Sequence, residues 1–480
     1  MKAAVACAAV FLAAGSLWID TPGLQQDEAL FGMAIYYPHT AVYKAKVFGR
    51  EIPLMQLPYL GSLKALLYRP LFRLWSPSPA SIRLPMVALG AAFILLTWLL
   101  LRRVATPWAA TAAAALLALD PSLLWAVRCD WGPVAIQLAL TAGATLAAAA
   151  GRAPLAFFLF GLALWNKAVF VWIFTGLAAA WAAVHRRLPG RRTLVLATVA
   201  FLLGAYPFLR FNASSRGRTV RETARFTLAG LPAKFQSLHA ALEGRAVYGY
   251  LMRERDVTPT LPRSSATAWL LAAALPLALR TRSGRFFAVA AGTSWLFMAL
   301  TVNGGESLHH TVLLWPWPQC LIALGAAEGC RMGWRRTAFA AIAVAVLLNA
   351  GVTTRHYELV VRNGADPPWS EAIHTLDRVL REERFSRIWV NDWGILDSLG
   401  VLGEGRRSLE ASYSADLARV TSRKDWVIVG HVDRFQAFPG VNARLANVPG
   451  YRKETLRTIT DRQGTPVFEI YRLAPDAVTR

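Results

Sequence analysis

Cysteine is scarce in this chain, four in 480 residues, too few for a disulfide scaffold. Charge is scarce too. Charged residues make up 17%, against about 25% in soluble domains. Acidic residues are the scarcer kind, 29 against 52 basic. No G-x-x-x-x-G-K-[ST] loop and no G-x-G-x-x-G turn after a strand occurs, which argues against soluble nucleotide chemistry. No Cys/His zinc spacing occurs either. What abounds is apolar: 55% of residues, with a mean hydropathy of +0.36. That composition points to lipid, not to the roughly three soluble domains such a length would suggest.

The net charge of +23 could suggest nucleic acid, but its placement argues otherwise. Residues 1–355 carry 34 basic and 12 acidic residues, and 356–480 carry 18 and 17. A nucleic-acid binder gathers its arginines on one face or groove. Here they punctuate apolar runs.

Eleven such runs are candidate spans: 3–19, 84–101, 107–119, 132–150, 154–164, 168–184, 193–209, 266–279, 286–302, 311–327 and 338–352. A full crossing takes about 20 mostly apolar residues, so the run at 154–164 is short and is expected to pack inside protein. Basic connections at Arg102/Arg103, Arg152, Arg186/Arg187/Arg191/Arg192, Arg280/Arg282/Arg285 and Arg331/Arg335/Arg336 alternate with acidic ones. The positive-inside rule then puts the N-terminus in the cytoplasm and the tail outside. The first run also has signal-peptide character, with Lys2 ahead of a short apolar stretch; its cleavage would leave Asp27 outside.

Unusual chemistry gathers on that outer face. The first loop, 20–83, holds the acid pair Asp27 and Glu28 ahead of an expected interfacial helix, and Lys64 in a second amphipathic piece beginning at Pro58-Tyr59. Further outer segments hold Arg128 and Asp130, Trp165-Asn166-Lys167, and Glu306 with His309 and His310. A long loop, 212–263, reads as a cover over the same face. Each signal also has a plain structural reading. An acid pair at a helix start complements the helix dipole. Lys167 could snorkel to headgroups, Arg128 and Asp130 could form an ion pair, and the histidines could sit at the interface. Beyond 356, a helix to about Glu383 and strands at 387–390, 426–429 and 467–471 predict a small α/β domain outside the membrane.

The acid pair after the first run, Pro58-Tyr59 followed by Lys64, and Ser81-Ile82-Arg83-Leu84-Pro85 entering the second run resemble the GT-C superfamily of membrane glycosyltransferases. The closest branch holds the protein O-mannosyltransferases and aminoarabinose transferases (GT39/GT83-type). Ala118-Leu119-Asp120-Pro121, Arg128-Cys129-Asp130, Leu164-Trp165-Asn166-Lys167 and His309-His310 fit the same pattern, which covers roughly residues 1–351. The resemblance implies an α-helical multi-pass membrane protein of about eleven spans, a catalytic part over 1–355 and a periplasmic α/β domain over 356–480. It implies a bacterial inner-membrane enzyme moving one sugar, with inversion, from a polyprenyl-phosphate donor to a glycan, lipid or protein acceptor. Asp27 would be the general base, Glu28 would orient the acceptor, and Asp130 would orient a cation or the sugar. Lys64, Arg128 and Lys167 would hold the donor phosphate, with Tyr59, Asn166, His309 and His310 lining the cavity. No Trp-Trp-Asp motif is present, which argues against en bloc transfer to asparagine. No cofactor is called for, and a divalent metal at Glu306, His309 and His310 stays open. The competing class is a transporter or flippase of a lipid-linked or anionic solute. Such a protein should carry ionisable residues near the bilayer midplane and internal repeats.

Overall fold

The computed structural model describes residues 1–185, 190–248, 250–253, 260–412 and 426–475. The expected basic pair Arg186/Arg187 lies outside the described residues. Every apolar run is mainly helical. The first forms α1 (Lys2–Ser16), and the outer loop after it forms α2 (Gln26–Tyr36), the hairpin β1 (Tyr43–Val47) and β2 (Arg50–Leu57), β3 (Leu60–Gly61) and α3 (Leu63–Leu74). Next come α4 (Pro79–Val104), α5 (Pro107–Ala118), α6 (Pro121–Arg128), α7 (Val134–Ala149), α8 (Ala153–Asn166), α9 (Phe170–His185) and α10 (Arg191–Ser214). The cover loop holds α11 (Arg218–Thr223) and α12 (Leu231–Leu242), followed by α13 (Thr267–Ala278), α14 (Arg282–Leu300), α15 (Leu308–Thr311), α16 (Trp317–Arg331) and α17 (Arg335–Asn363). The division expected at 355/356 falls within α17.

Eleven crossings are not reproduced by length and composition. Among the described residues, three helices, α4, α10 and α17, are long and apolar enough to cross a membrane unaided. A fourth arises if α5 and α6, bent by 61° at Asp120, form one span. The rest are shorter, α8 having only 14 residues, and they pack against one another: α8 on α10, α9 on α14, α7 on α4.

The tail forms α18 (Ala372–Glu382), β4 (Arg387–Val390), α19 (Leu396–Leu402), β5 (Ser408–Ala411), β6 (Val427–His431), β7 (Tyr451–Thr460) and β8 (Pro466–Pro475). These strands make one mixed sheet in the order β5-β4-β6-β8-β7, with β4 parallel to β5 and β6. The three strands expected from sequence are β4, β6 and β8. β5 and β7 escaped notice: β5 is four residues long, and β7 carries charged residues on its open face, without an apolar alternation to betray it. The domain's core continues into that of the helical part, Leu376 and Val429 belonging to the same buried cluster as Phe31 and Val87.

The first loop is less interfacial than its amphipathic spacing suggests. α2 is buried along much of its length, including Ala29, Phe31, Met33 and Ala34. Its start is fixed by a capping box: Gln25 Oε1 accepts from Asp27 N at 2.6 Å, while Glu28 Oε1 accepts from Gln25 N at 3.0 Å. Glu28 also takes a two-pronged bond from the fully buried Arg83 of α4, Nε to Oε2 at 2.9 Å and Nη2 to Oε1 at 2.5 Å. The remaining Arg83 donors reach the carbonyls of Ile19, Pro22 and Gly23. Arg128, at the end of α6, does the same one step earlier. It donates to the carbonyls of Gly15, Leu17, Trp18 and Thr21, so it caps the C-terminal end of α1. Two buried guanidiniums thus thread the linker from α1 to α2.

Removing one partner of a buried, hydrogen-bonded ion pair leaves the other charge stranded, at a cost of about 3–5 kcal/mol. Glu28→Ala is therefore expected to lower unfolding stability by that order in detergent-solubilised protein. An unchanged denaturation midpoint would show that the Arg83 clamp does not hold α2.

Candidate functional site

Asp27 sits in the first turn of α2 and is partly exposed, unlike its neighbour Glu28. Burial raises its carboxyl above the ordinary carboxylate range. The Lys167 charge, the Gln25 side chain and the Lys64 charge pull it back, and Glu28 adds a small push upward. Two phenols feel the charge of the same carboxylate. Tyr59 and Tyr250 are both raised, first by burial and then by the Asp27 charge. Tyr250 belongs to an aromatic triad with Trp131 and Trp369, at ring separations of 5.1–5.6 Å.

Lys167 is brought there by backbone pairing. It follows the C-terminus of α8 and pairs with Leu60 of β3, while Ala168 N donates to Tyr59 O at 2.9 Å. Gly61 permits this contact, since a Cβ there would lie 2.0 Å from the Trp165 carbonyl oxygen. Lys167 is 2% exposed and its Nζ has no hydrogen-bond partner among the described residues. Burial lowers this ammonium to about 8, with Asp130 and Asp27 resisting the change. Gly132, held at φ +71°, gives the ammonium its room: a Cβ would stand 3.2 Å from Nζ.

Lys64 is fully buried at the start of α3 and meets Asp130 Oδ2 at 2.6 Å, with Phe31 and Tyr68 facing its ammonium at 5.2 and 5.4 Å. Asp130 Oδ1 accepts from Ala135 N at 2.7 Å and so anchors the start of α7. This pair is electrically neutral; Lys167 is the cation left over beside it. His309 and His310 lie in α15, within reach of the Lys167 charge. Burial holds both imidazoles neutral at physiological pH, His310 down to about 3, and the Lys167 charge adds to the effect. His310 also sets its ring edge-on to Trp172 at 5.5 Å.

The sequence-predicted residues thus divide. Asp27, Tyr59, Lys64, Asp130, Lys167, His309 and His310 form one electrostatic cluster around Asp27 and Lys167. Three others are turned to structural work. Glu28 is spent on Arg83 and the α2 cap. Arg128 is spent on the α1 carbonyls. Asn166 Nδ2 donates to Pro133 O at 3.1 Å and Gln137 Oε1 at 2.9 Å. Sequence reasoning passed over Tyr250 of the cover loop, and Arg83, seen only as part of a motif. Among the described residues no three or more His, Cys, Asp or Glu side chains converge to hold a metal ion. Glu306 instead faces Lys234 at 3.7 Å.

Lys64 and Asp130 provide a check on that division. Lys64→Met strands a buried carboxylate and is expected to cost about 3–5 kcal/mol, whereas Lys64→Met with Asp130→Asn should recover most of the loss. A double variant as unstable as the single one would mean that the pair is not coupled.

No protein-family profile matches this sequence, and no curated protein matches it. Solved structures do. The oligosaccharyltransferase of Archaeoglobus fulgidus in its apo form aligns over 100% of this chain and 74% of its own, at 13% identity and a TM-score of 0.53. The same archaeal enzyme in complex with zinc and sulfate aligns at a TM-score of 0.52 and 13% identity, over 98% of this chain and 73% of its own. The mycobacterial arabinofuranosyltransferase AftD aligns over 99% of this chain but only 40% of its own, at 15% identity and a TM-score of 0.52. Such identities speak to architecture alone. This chain has the GT-C fold, the fold of these membrane glycosyltransferases.

Proposed function

We propose that this chain is a membrane glycosyltransferase that moves one sugar from a polyprenyl-phosphate donor to an acceptor hydroxyl on a glycan, lipid or protein. The carrying observation is a partly exposed carboxylate, Asp27, beside a buried ammonium, Lys167, that has no hydrogen-bond partner of its own among the described residues. A base for the acceptor and a cation for the leaving phosphate are the two groups this reaction asks for.

In the proposed step Asp27 takes the acceptor's O–H proton as the oxygen attacks the anomeric carbon. The bond from that carbon to the phosphate oxygen breaks, its electron pair goes to the phosphate, and Lys167 meets the charge that develops. Attack opposite the leaving group inverts the anomeric centre. Lys64 and Asp130 set the field around Lys167 as a neutral pair, and the neutral His309 and His310 offer hydrogen bonds to sugar hydroxyls. Arg128 and Glu28 take no part in the chemistry. No step is routed through a metal, since Glu306, His309 and His310 do not converge on one point.

The donor's lipid has a place to lie. An apolar cavity of 520 Å³ opens between α7, α8, α9, α10 and α14, lined by Phe157, Phe160, Phe174, Leu177, Trp181 and Leu194. Phe160 and Phe174 each stand seven residues from Lys167, about 10 Å along a helix. A phosphate on Lys167 would send its chain down that cavity. The archaeal neighbour has also been solved with a dolichol-phosphate and an inhibitory peptide, at a TM-score of 0.50. The alternation of basic and acidic connections supports a reading in which these residues face the periplasmic side of a bacterial inner membrane, with the N-terminus cytoplasmic.

Asp27→Asn is expected to lower transfer by about 10²–10⁴ while the protein still folds, measured with a panel of polyprenyl-phosphate sugars in proteoliposomes. Wild-type turnover by that variant would remove Asp27 from the mechanism. Transport of the lipid-linked sugar with no glycosylated product would favour a flippase. Lys167→Ala should weaken binding of undecaprenyl phosphate about 10–100-fold, the worth of one charge-assisted hydrogen bond. Unchanged affinity in native mass spectrometry would return Lys167 to a structural role.

A further inference from the structure

A second cavity, of 350 Å³, opens where three helix ends meet: the turn from α4 to α5, the turn from α13 to α14, and the last turn of α16. It is remote from Asp27. Val104 on its wall stands 21 residues along α4 from Arg83, about 30 Å at the helical rise. Its walls are joined directly, Ser283 Oγ donating to Val104 O at 2.7 Å, and α16 packs on both α13 and α14.

The lining is basic. Three arginines, Arg280, Arg282 and Arg331, face one acid, Glu328, which leaves two positive charges in excess. Glu328 is taken by Arg331 at 3.1 Å. Arg280 Nη1 meets only a thioether, Met332 Sδ at 3.2 Å, which is a weak acceptor. Arg282 Nη2 reaches the Val184 carbonyl at 3.4 Å and His185 Nδ1 at 3.2 Å. Neither guanidinium meets a carboxylate among the described residues. Both α5 and α14 begin here, behind the N-caps Thr106 and Thr281, and their dipoles add potential of the same sign. Beside the charges lies bare hydrocarbon: Leu279, Met332 and Trp334 are exposed. Trp334 is folded back onto α16, its N–H donating to Gly329 O at 2.9 Å, and its indole lies 3.9 Å from where a Gly329 Cβ would stand.

We propose that this cavity binds the headgroup of an anionic glycerophospholipid of the phosphatidylglycerol kind. Arg280 and Arg282 take the phosphate oxygens, and the acyl chains run over Leu279 and Trp334. Charge alone would suit a free phosphate equally, but a free anion has no use for the apolar surface beside it. A tryptophan next to arginines is the usual furniture of a bilayer's headgroup level. This is also the end of the bundle where basic connections gather, the end expected to face the cytoplasm, and basic pockets between helices on that side take anionic headgroups. A lipid seated there ties the α4–α5 turn to the ends of α13 and α16. The proposal stands apart from sugar transfer and needs no turnover to be tested.

The test is native mass spectrometry of the full chain in detergent, with phosphatidylglycerol or phosphatidylcholine of identical acyl chains added. The first phosphatidylglycerol is expected to bind more tightly than phosphatidylcholine. Arg280→Gln with Arg282→Gln should weaken it about 10–100-fold and leave phosphatidylcholine unchanged. Arg285→Gln removes an exposed arginine of the same bundle end that does not line the cavity, and it should change nothing. Glu328→Gln should tighten phosphatidylglycerol binding, and it decides the matter if the double variant does not fold. Equal affinity for the two lipids overturns the proposal, as does wild-type binding by the double variant or unchanged binding by Glu328→Gln. A loss in Arg285→Gln as large as in the double variant would mean diffuse surface charge, not a site. Displacement of the lipid by inorganic phosphate would mean a free-anion site and overturn the lipid assignment.

Discussion

The site depends on two buried arginines holding a stretch of irregular backbone. The linker from α1 to α2 leaves helical geometry at the outer edge of an apolar bundle, where unsatisfied carbonyls are costly. Arg128 takes four of those carbonyls and Arg83 three more. Arg83 then grips Glu28 with its last two donors, and Glu28 closes the capping box of α2. Asp27 is the next residue along. Its position is therefore set by groups that never touch substrate. The planar fork of a guanidinium suits this task, because it can serve several acceptors at once without giving up its charge.

The charges of this cluster follow from the same economy of partners. Lys64 and Asp130 face each other at full burial and cancel. Glu28 and Arg83 cancel likewise. What is left uncompensated by direct contact is Asp27 on one side and Lys167 on the other, each perturbed by burial and each pulling the other toward its charged form. A phosphate entering near Lys167 would raise the proton affinity of that ammonium and lower the demand on Asp27 to balance it. Asp27 would then answer more strongly to the remaining negative neighbours. Electrostatics of this kind act strongly because Lys64, Asp130 and Lys167 are buried.

Much of this was legible in the chain before any coordinates. Apolar runs marked the helices because their period and length survive any tertiary context. β4, β6 and β8 were legible as β-branched and aromatic runs. The acid pair marked the first loop. The family resemblance named Asp27 as the base, but no spacing could show that Glu28 is held by Arg83, 55 residues away. Arg128 shows the same limit: a lone arginine at a helix end reads alike whether it awaits a phosphate or caps another helix. Asn166 looked like a cavity residue and proved to be a tie between α8 and α7.

The shortness of α8 bears on why Lys167 is available. Fourteen residues extend about 21 Å at 1.5 Å per residue, well under the roughly 30 Å of hydrocarbon. Were α8 and α9 each a full span, their junction would lie among the headgroups, and a lysine there would simply snorkel into water. Instead the junction is drawn down into the protein, where β3 pairs with it and Gly61 lets the two backbones approach. Its ammonium is consequently shielded, lowered to about 8, and left to be completed by an anion. The same shortening brings Phe160 and Phe174, and with them the apolar cavity, within a few turns of that ammonium. A charged head and a long hydrocarbon tail could then be bound by one continuous stretch of two helices, which is the shape of problem a lipid-phosphate donor presents.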